Sequence, residues 1–141
     1  MRPVRHILVA VDFDQGERRA VDVAAVIAER FNATITLVHV MYPSPRVTPI
    51  WIQRREDAEL RLQNLLAPLR VTAKCMVRFG APAQEIVEAA QTLRADIVVV
   101  GTHGRHRAAR AFLGSVSEEV MRTSPVPVLT VLGAPPDEAG S

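Results

Sequence analysis

Five short apolar segments, rich in β-branched residues, recur along the chain. They predict strands over residues 7–11, 34–40, 71–77, 97–100 and 126–132. Four of them are nearly continuous in apolar residues, which is typical of strands buried on both faces of a parallel sheet. The third, residues 71–77, is more mixed in polarity, and we expect it at a sheet edge.

Between these segments, apolar residues recur at three- and four-residue spacing, which is typical of amphipathic helices. The pattern predicts helices over residues 17–31, 52–69, 83–93 and 116–122. Asp14 is a candidate N-cap of the first helix, Pro82 suits the first turn of the third, and Ser115 is a candidate cap of the fourth, three residues before Glu118. Strands alternating with helices predict an α/β fold with a parallel sheet and right-handed crossovers.

The length and composition fit one domain. The chain has 141 residues, of which 48% are hydrophobic and 23% charged, so it can bury a core without a metal or disulfide. Cys75 is the only cysteine, which excludes a disulfide within the chain and a multi-cysteine zinc site. We expect one domain over residues 1–132 and a flexible tail over residues 133–141.

Neither a secretion signal nor a membrane span is evident. The first apolar run covers residues 7–11 and is ended by Asp12, which is too short for either purpose. We therefore expect a cytoplasmic protein that does not associate with membranes.

The most informative segment is Gly101-Thr102-His103-Gly104, which directly follows the fourth predicted strand. Gly114-Ser115 then opens the next helix. Glycines let a backbone approach a ligand closely, and a helix N-terminus presents unpaired N–H groups to an anion, so the two together suit a phosphate. Nearby Arg105, Arg107 and Arg110 favour an anionic ligand as well. The alternative is a linker in which the glycines only turn the chain.

These segments resemble the universal stress protein family, in its ATP-binding branch, over about residues 4 to 132. The resemblance is carried by Gly101-x2-Gly104-x9-Gly114-Ser115, Ile7-Leu8-Val9-Ala10-Val11-Asp12, Leu37-Val38-His39-Val40 and Pro125-Val126-Pro127-Val128-Leu129. It implies an open, doubly wound sheet of five parallel strands in the order 3-2-1-4-5, in a Rossmann-like three-layer sandwich of the adenine nucleotide alpha hydrolase type. Asp14 departs from the family, which often has Ser at that position.

The resemblance also implies a site for ATP or another adenine nucleotide, with Mg²⁺ or Mn²⁺ bridging the phosphates. Asp12 would contact the adenosine part, Ala10 and Val11 would line it, and Val40 would meet the adenine through its backbone. The ribose and phosphates would be held by Val100, Gly101, His103, Gly104, Gly114, Ser115, Val116 and Ser117. The family commonly forms homodimers through the last strand, here from Val126 to Val131.

Other residues have simpler interpretations. Asp12 and Asp14 form either a metal-binding pair or, as we favour, a buried strand-end carboxylate and a helix cap. His39 is expected to be a hydrogen-bonded packing residue, and Cys75 an inert buried thiol. Trp51 is expected to be a partly exposed packing residue, although covering a ligand or a dimer contact is a second option.

The sequence thus favours a nucleotide-binding regulatory or sensor protein with at most slow ATP hydrolysis, because no general base or nucleophile stands out. One alternative is a dimeric interaction module of the same fold that binds no nucleotide. Another is an adenylate-transferring enzyme of the adenine alpha-hydrolase type, although the chain lacks a pyrophosphate-loop signature near the first strand. Nucleic acid is not expected as a partner, because no set of stacking aromatic residues accompanies the basic loop.

Overall fold

The structure is a computed structural model that describes residues 3–13, 17–102 and 114–132. Strands and helices alternate along the chain as the sequence predicts. Their bounds are β1 (His6–Ala10), α1 (Glu17–Phe31), β2 (Thr34–Met41), α2 (Pro49–Leu66), β3 (Ala73–Phe79), α3 (Pro82–Thr92), β4 (Ile97–Thr102), α4 (Ser115–Thr123) and β5 (Val128–Leu132). Within the described residues, none of the helices is both long and apolar enough to cross a bilayer.

The five strands form one parallel sheet in the order β3-β2-β1-β4-β5, which confirms the predicted fold class. The central strand β1 pairs with β2 on one side and with β4 on the other. Its residues Ile7, Leu8 and Val9 are completely buried, as expected for a strand covered on both faces. The mixed strand β3 lies at an edge, as its pattern predicted.

Each face of the sheet has its own apolar core. On one face, Val9, Leu37 and Val99 pack with alanines of α1 and with Leu62 of α2. On the other, Leu8 and Val98 are among the buried residues that pack with α3 and α4. The buried positions of α1 include Ala20, Ala24 and Ala28, so this helix is able to lie close to the strands.

Several predicted boundaries are wrong by a few residues, and the start of α2 has a local reason. Helix α2 begins at Pro49 rather than at residue 52, because the Thr48 hydroxyl accepts a hydrogen bond from the Trp51 N–H and proline suits the first turn. It ends at Leu66 rather than at residue 69. Strand β3 starts and ends two residues later than predicted.

The cap of α4 differs in kind from the prediction. Ser115 is the first helical residue, and the capping residue is Gly114, which has φ 98° and makes no side-chain cap hydrogen bond. A φ in this range favours glycine because other residues have a Cβ that clashes there. The predicted Asp14 cap, the basic stretch around residues 105–110 and the predicted tail over residues 133–141 lie outside the described residues.

Candidate functional site

A cleft of about 360 Å³ opens at the carboxyl ends of the central strands. Strands β2 and β3 lie on one side of β1, and β4 and β5 lie on the other, so the strand order reverses at β1. Open α/β sheets bind ligands at such switch points. The predicted site residues within the described ranges all line the cleft: Ala10, Val11, Asp12, Val40, Val100, Gly101, Gly114, Ser115, Val116 and Ser117. The other two, His103 and Gly104, lie outside those ranges.

One wall of the cleft is the N-terminus of α4. The first hydrogen bond of this helix runs from the Glu118 N–H to the Gly114 carbonyl, at 2.9 Å. The N–H groups of Ser115, Val116 and Ser117 come before it, so they have no acceptor within the helix. A glycine cap supplies no side-chain acceptor either, and these donors are therefore suited to an anion from outside the chain.

A hydrogen bond fixes α4 against the sheet. Ser117 is buried, and its hydroxyl donates to the carbonyl of Gly101, at the end of β4, over 3.3 Å. The neighbouring residue Thr102 is also buried and donates through its hydroxyl to the Val131 carbonyl at 3.4 Å. The helix N-terminus and the ends of β4 and β5 are thus held in one arrangement.

A second wall of the cleft is formed by the residues that follow β1. His39 of β2 donates from Nδ1 to the Val11 carbonyl at 2.7 Å, and its ring packs on Phe13 with 4.3 Å between the ring centroids. Because a carbonyl oxygen only accepts, the proton of a neutral His39 lies on Nδ1. The expectation of a hydrogen-bonded packing histidine is confirmed, and His39 also lines the cleft.

Asp12 stands between Val11 and Phe13 in the chain, and its exposed side chain lines the cleft. Our interpretation of it as a buried strand-end carboxylate is therefore wrong, because the strand ends at Ala10 and Asp12 has already left the sheet. The metal-pair alternative involved Asp14, which is outside the described residues. Among residues 3–13, 17–102 and 114–132, no group of three His, Cys, Asp or Glu side chains is placed to hold a metal ion.

The sequence reasoning missed an apolar part of the cleft. Val38, Pro82 and Ile86 line it together with Ala20, and Glu17, His39 and Thr102 add polar groups. Pro82 and Ile86 belong to the first two turns of α3, which no motif connects with the glycine loops. The helical spacing of Ile86 predicted its burial but not that one edge of it faces a cleft.

Two other candidates lie away from the cleft. Cys75 is half-buried in β3, and burial raises the pKa of its thiol, so the reactive thiolate is disfavoured, in line with the expectation of an inert residue. Trp51 is half-buried in the first turn of α2 and packs on Phe79 with 5.1 Å between ring centroids. The packing role expected for Trp51 is thus confirmed.

Comparison with known proteins identifies the class of protein that this fold and cleft define. The profile of the universal stress protein family matches residues 3–131, which is nearly the whole chain. The chain therefore belongs to the universal stress protein family.

Individual relatives agree. The chain is 30% identical over 138 residues to universal stress protein A homolog 1 of Coxiella burnetii, covering 90% of this chain and 95% of that protein. It is 32% identical over 134 residues to a universal stress protein of Thermus aquaticus, covering 89% and 96%. Among solved structures, a universal stress protein in complex with cAMP is 30% identical with a TM-score of 0.69, covering 94% of this chain and all of that one. The protein MJ0577 is 25% identical with a TM-score of 0.81, covering 94% and 99%.

Proposed function

We propose that this protein binds an adenine nucleotide in the cleft and acts as a regulatory or sensor protein, with at most slow ATP hydrolysis. The observation that carries the proposal is the α4 N-terminus, whose first three N–H groups lack acceptors within the helix and border a cleft with an apolar part. A nucleotide has the matching chemistry, because it combines anionic phosphates with an apolar base.

The lining residues fit the two ends of such a ligand. Phosphates suit the amides of Ser115, Val116 and Ser117 and the close approach that Gly101 and Gly114 allow. The base suits the apolar side chains of Val38, Val40, Pro82 and Ile86. The carboxylate of Asp12 would be repelled by phosphates, and it suits the hydroxyl donors of a ribose.

A related structure supports an adenine nucleotide in particular. The universal stress protein that is 30% identical to this chain was solved with cAMP, which contains adenine, ribose and phosphate. A divalent ion, if one is used, would be bound mainly through the phosphates, as Mg²⁺ usually is. Its ligands would then come from the nucleotide rather than from a cluster of side chains.

The chemistry of the cleft favours binding over fast turnover. Within the described residues the polar side chains that line it are Asp12, Glu17, His39, Thr102, Ser115 and Ser117. The proton on His39 Nδ1 is committed to the Val11 carbonyl, and the Ser117 hydroxyl to Gly101. No nucleophile with an adjacent oriented base is found among them, which is why we propose at most slow hydrolysis.

Calorimetric titration of the nucleotide-stripped protein with ATP and Mg²⁺ tests the proposal. We expect a Kd near the micromolar range, which corresponds to about −8 kcal/mol. The absence of both heat and a thermal shift at millimolar ATP would contradict it and leave an interaction module that binds no nucleotide. Release of pyrophosphate in the presence of an acceptor substrate would instead indicate adenylate transfer.

We also propose that the chain forms a homodimer through its last strand, from Val126 to Val131. Strand β5 lies at the edge of the sheet, where its backbone groups are available for pairing. The side chains of Leu129 and Leu132 at this edge are 36% and 61% exposed, so a second copy that pairs here could bury them. Sedimentation of the purified protein across a concentration series tests this, and a monomer at all concentrations would contradict it.

A further inference from the structure

The wall of the cleft that follows β1 has an unusual backbone. Val11, Asp12 and Phe13 come directly after the strand, and Phe13 has φ 64°, in the left-handed region. Bulky residues rarely adopt this conformation, and it persists where surrounding contacts hold it in place. The contacts of Phe13 therefore decide whether this wall keeps its shape.

Two side chains from other elements supply those contacts. From β2, His39 packs on the Phe13 ring and donates to the Val11 carbonyl. From α2, the guanidinium of Arg61 lies over the Phe13 ring, 4.2 Å from its centroid. Arg61 Nη2 also donates to the Phe13 carbonyl at 3.4 Å and lies 3.8 Å from a carboxylate oxygen of Glu17, which lines the cleft.

Arg61 itself does not line the cleft, and about half of its side chain is exposed. Its cation therefore contributes little to the core. Two of its contacts are with Phe13, the residue that follows Asp12. We propose that Arg61 is a positioning residue that holds Phe13, and through it Asp12, in the conformation in which the wall receives a nucleotide. The expected effect on nucleotide affinity rests on the proposed function, whereas the expected effect on the conformation of Phe13 and Asp12 does not.

The position of Asp12 indicates which part of the ligand is affected. Its carboxylate repels phosphates, so we assign this wall to the nucleoside and the α4 amides to the phosphates. Loosening the wall then weakens AMP, ADP and ATP by the same factor. If Arg61 acted only as a cation that attracts phosphates, the loss would grow with the number of phosphates and shrink at high salt.

The test compares Arg61→Ala with Arg55→Ala. Arg55 lies on the same helix, 5.7 Å from the Phe79 ring centroid and 3.1 Å from Glu59, and does not line the cleft. We expect Arg61→Ala to weaken all three nucleotides by about threefold to fivefold, as loss of an exposed cation–π contact implies. Arg61→Lys should recover part of this loss because it keeps a cation for the ring, and Arg55→Ala should bind as the wild type does.

A second measurement needs no ligand. The Val11 N–H donates to the Val38 carbonyl at 2.8 Å, and the Val98 N–H donates to the Pro127 carbonyl at 2.9 Å elsewhere in the sheet. We expect amide exchange in Arg61→Ala to become faster at Val11 and to stay unchanged at Val98, since the loss is local rather than global.

The outcomes separate the two proposals. If the wild type binds none of the three nucleotides, the proposed function fails, and faster exchange at Val11 in Arg61→Ala still supports the role of Arg61 in holding the wall. Unchanged exchange at Val11 overturns that role. If the wild type binds nucleotide, the role of Arg61 is also overturned when Arg61→Ala binds with wild-type affinity. It is likewise overturned when the loss of affinity in Arg61→Ala grows with the number of phosphates and disappears at high salt.

Discussion

Removal of a single backbone donor at the start of α4 tests the phosphate site most directly. Ser115 is the first helical residue, and proline is well tolerated at that position because its φ is already helical and its missing N–H has no partner within the helix. Gly114 has ψ 145°, which is the range that a residue before proline prefers. Ser115→Pro therefore removes one N–H, together with the hydroxyl, while the helix is retained.

The magnitude follows from the bond that is lost. A hydrogen bond to a charged group contributes about 1.5–3 kcal/mol, so we expect a Kd for ATP that is about tenfold to a hundredfold weaker. Ser115→Ala is the matched control, because it removes the hydroxyl and keeps the N–H. The comparison of the two variants isolates the contribution of the amide.

Both variants are titrated with ATP and Mg²⁺ by calorimetry, and their melting temperatures are measured without nucleotide. We expect Ser115→Pro to melt at the same temperature as Ser115→Ala or slightly higher, since proline restricts the unfolded chain. Equal ATP affinity in the two folded variants would refute the assignment of the α4 amides to the phosphates. A fall in the melting temperature of Ser115→Pro alone would refute the reasoning on helix geometry.

Three further outcomes are expected. Gly114→Ala forces a residue with a Cβ into φ 98°, so it should lower the free energy of unfolding by about 1–3 kcal/mol, measured by urea titration; a neutral effect would contradict the backbone strain. Burial, followed by the charge of Lys74, lowers the pKa of His6, so protonation favours the unfolded state, and stability should decline as the pH falls below about 6.5. Urea titrations from pH 7.5 to 5.5 should show this decline in the wild type and a smaller one in His6→Gln, and equal declines would exclude His6 as the cause. Leu129→Arg should give a monomer in sedimentation, since its side chain is 36% exposed on the edge strand and lies within the proposed interface, and a persisting dimer would place the interface elsewhere.

The secondary structure was predictable because its signals are local. The buried strands β1 and β4 are continuous apolar runs, and the helical spacing of apolar residues set α1 at its observed bounds. One boundary error occurred where a cap competes with a pattern, because Thr48 and Pro49 start α2 early. The cap of α4 was misassigned because Ser115 has a good capping side chain, whereas the geometry required a residue that tolerates φ 98°, which is Gly114.

The candidate site divides in the same way. Its glycine and serine segments could be found from the sequence, since residues that follow a buried strand and open a helix are adjacent in the chain to the elements that place them. Pro82 and Ile86 could not, because α3 carries no motif and reaches the cleft only through the packing of that helix on the sheet.

The sequence by itself determined the order of strands and helices, the parallel sheet and the glycine-flanked segments at the end of β4 and the start of α4. These follow from apolar periodicity and from residue types that act on their own neighbours. Only the tertiary structure decided that Asp12 is exposed, that His39 donates to Val11 and that Arg61 lies over Phe13. Such contacts join residues that are 28 and 48 positions apart, and their geometry depends on how strands and helices pack, which no local pattern encodes.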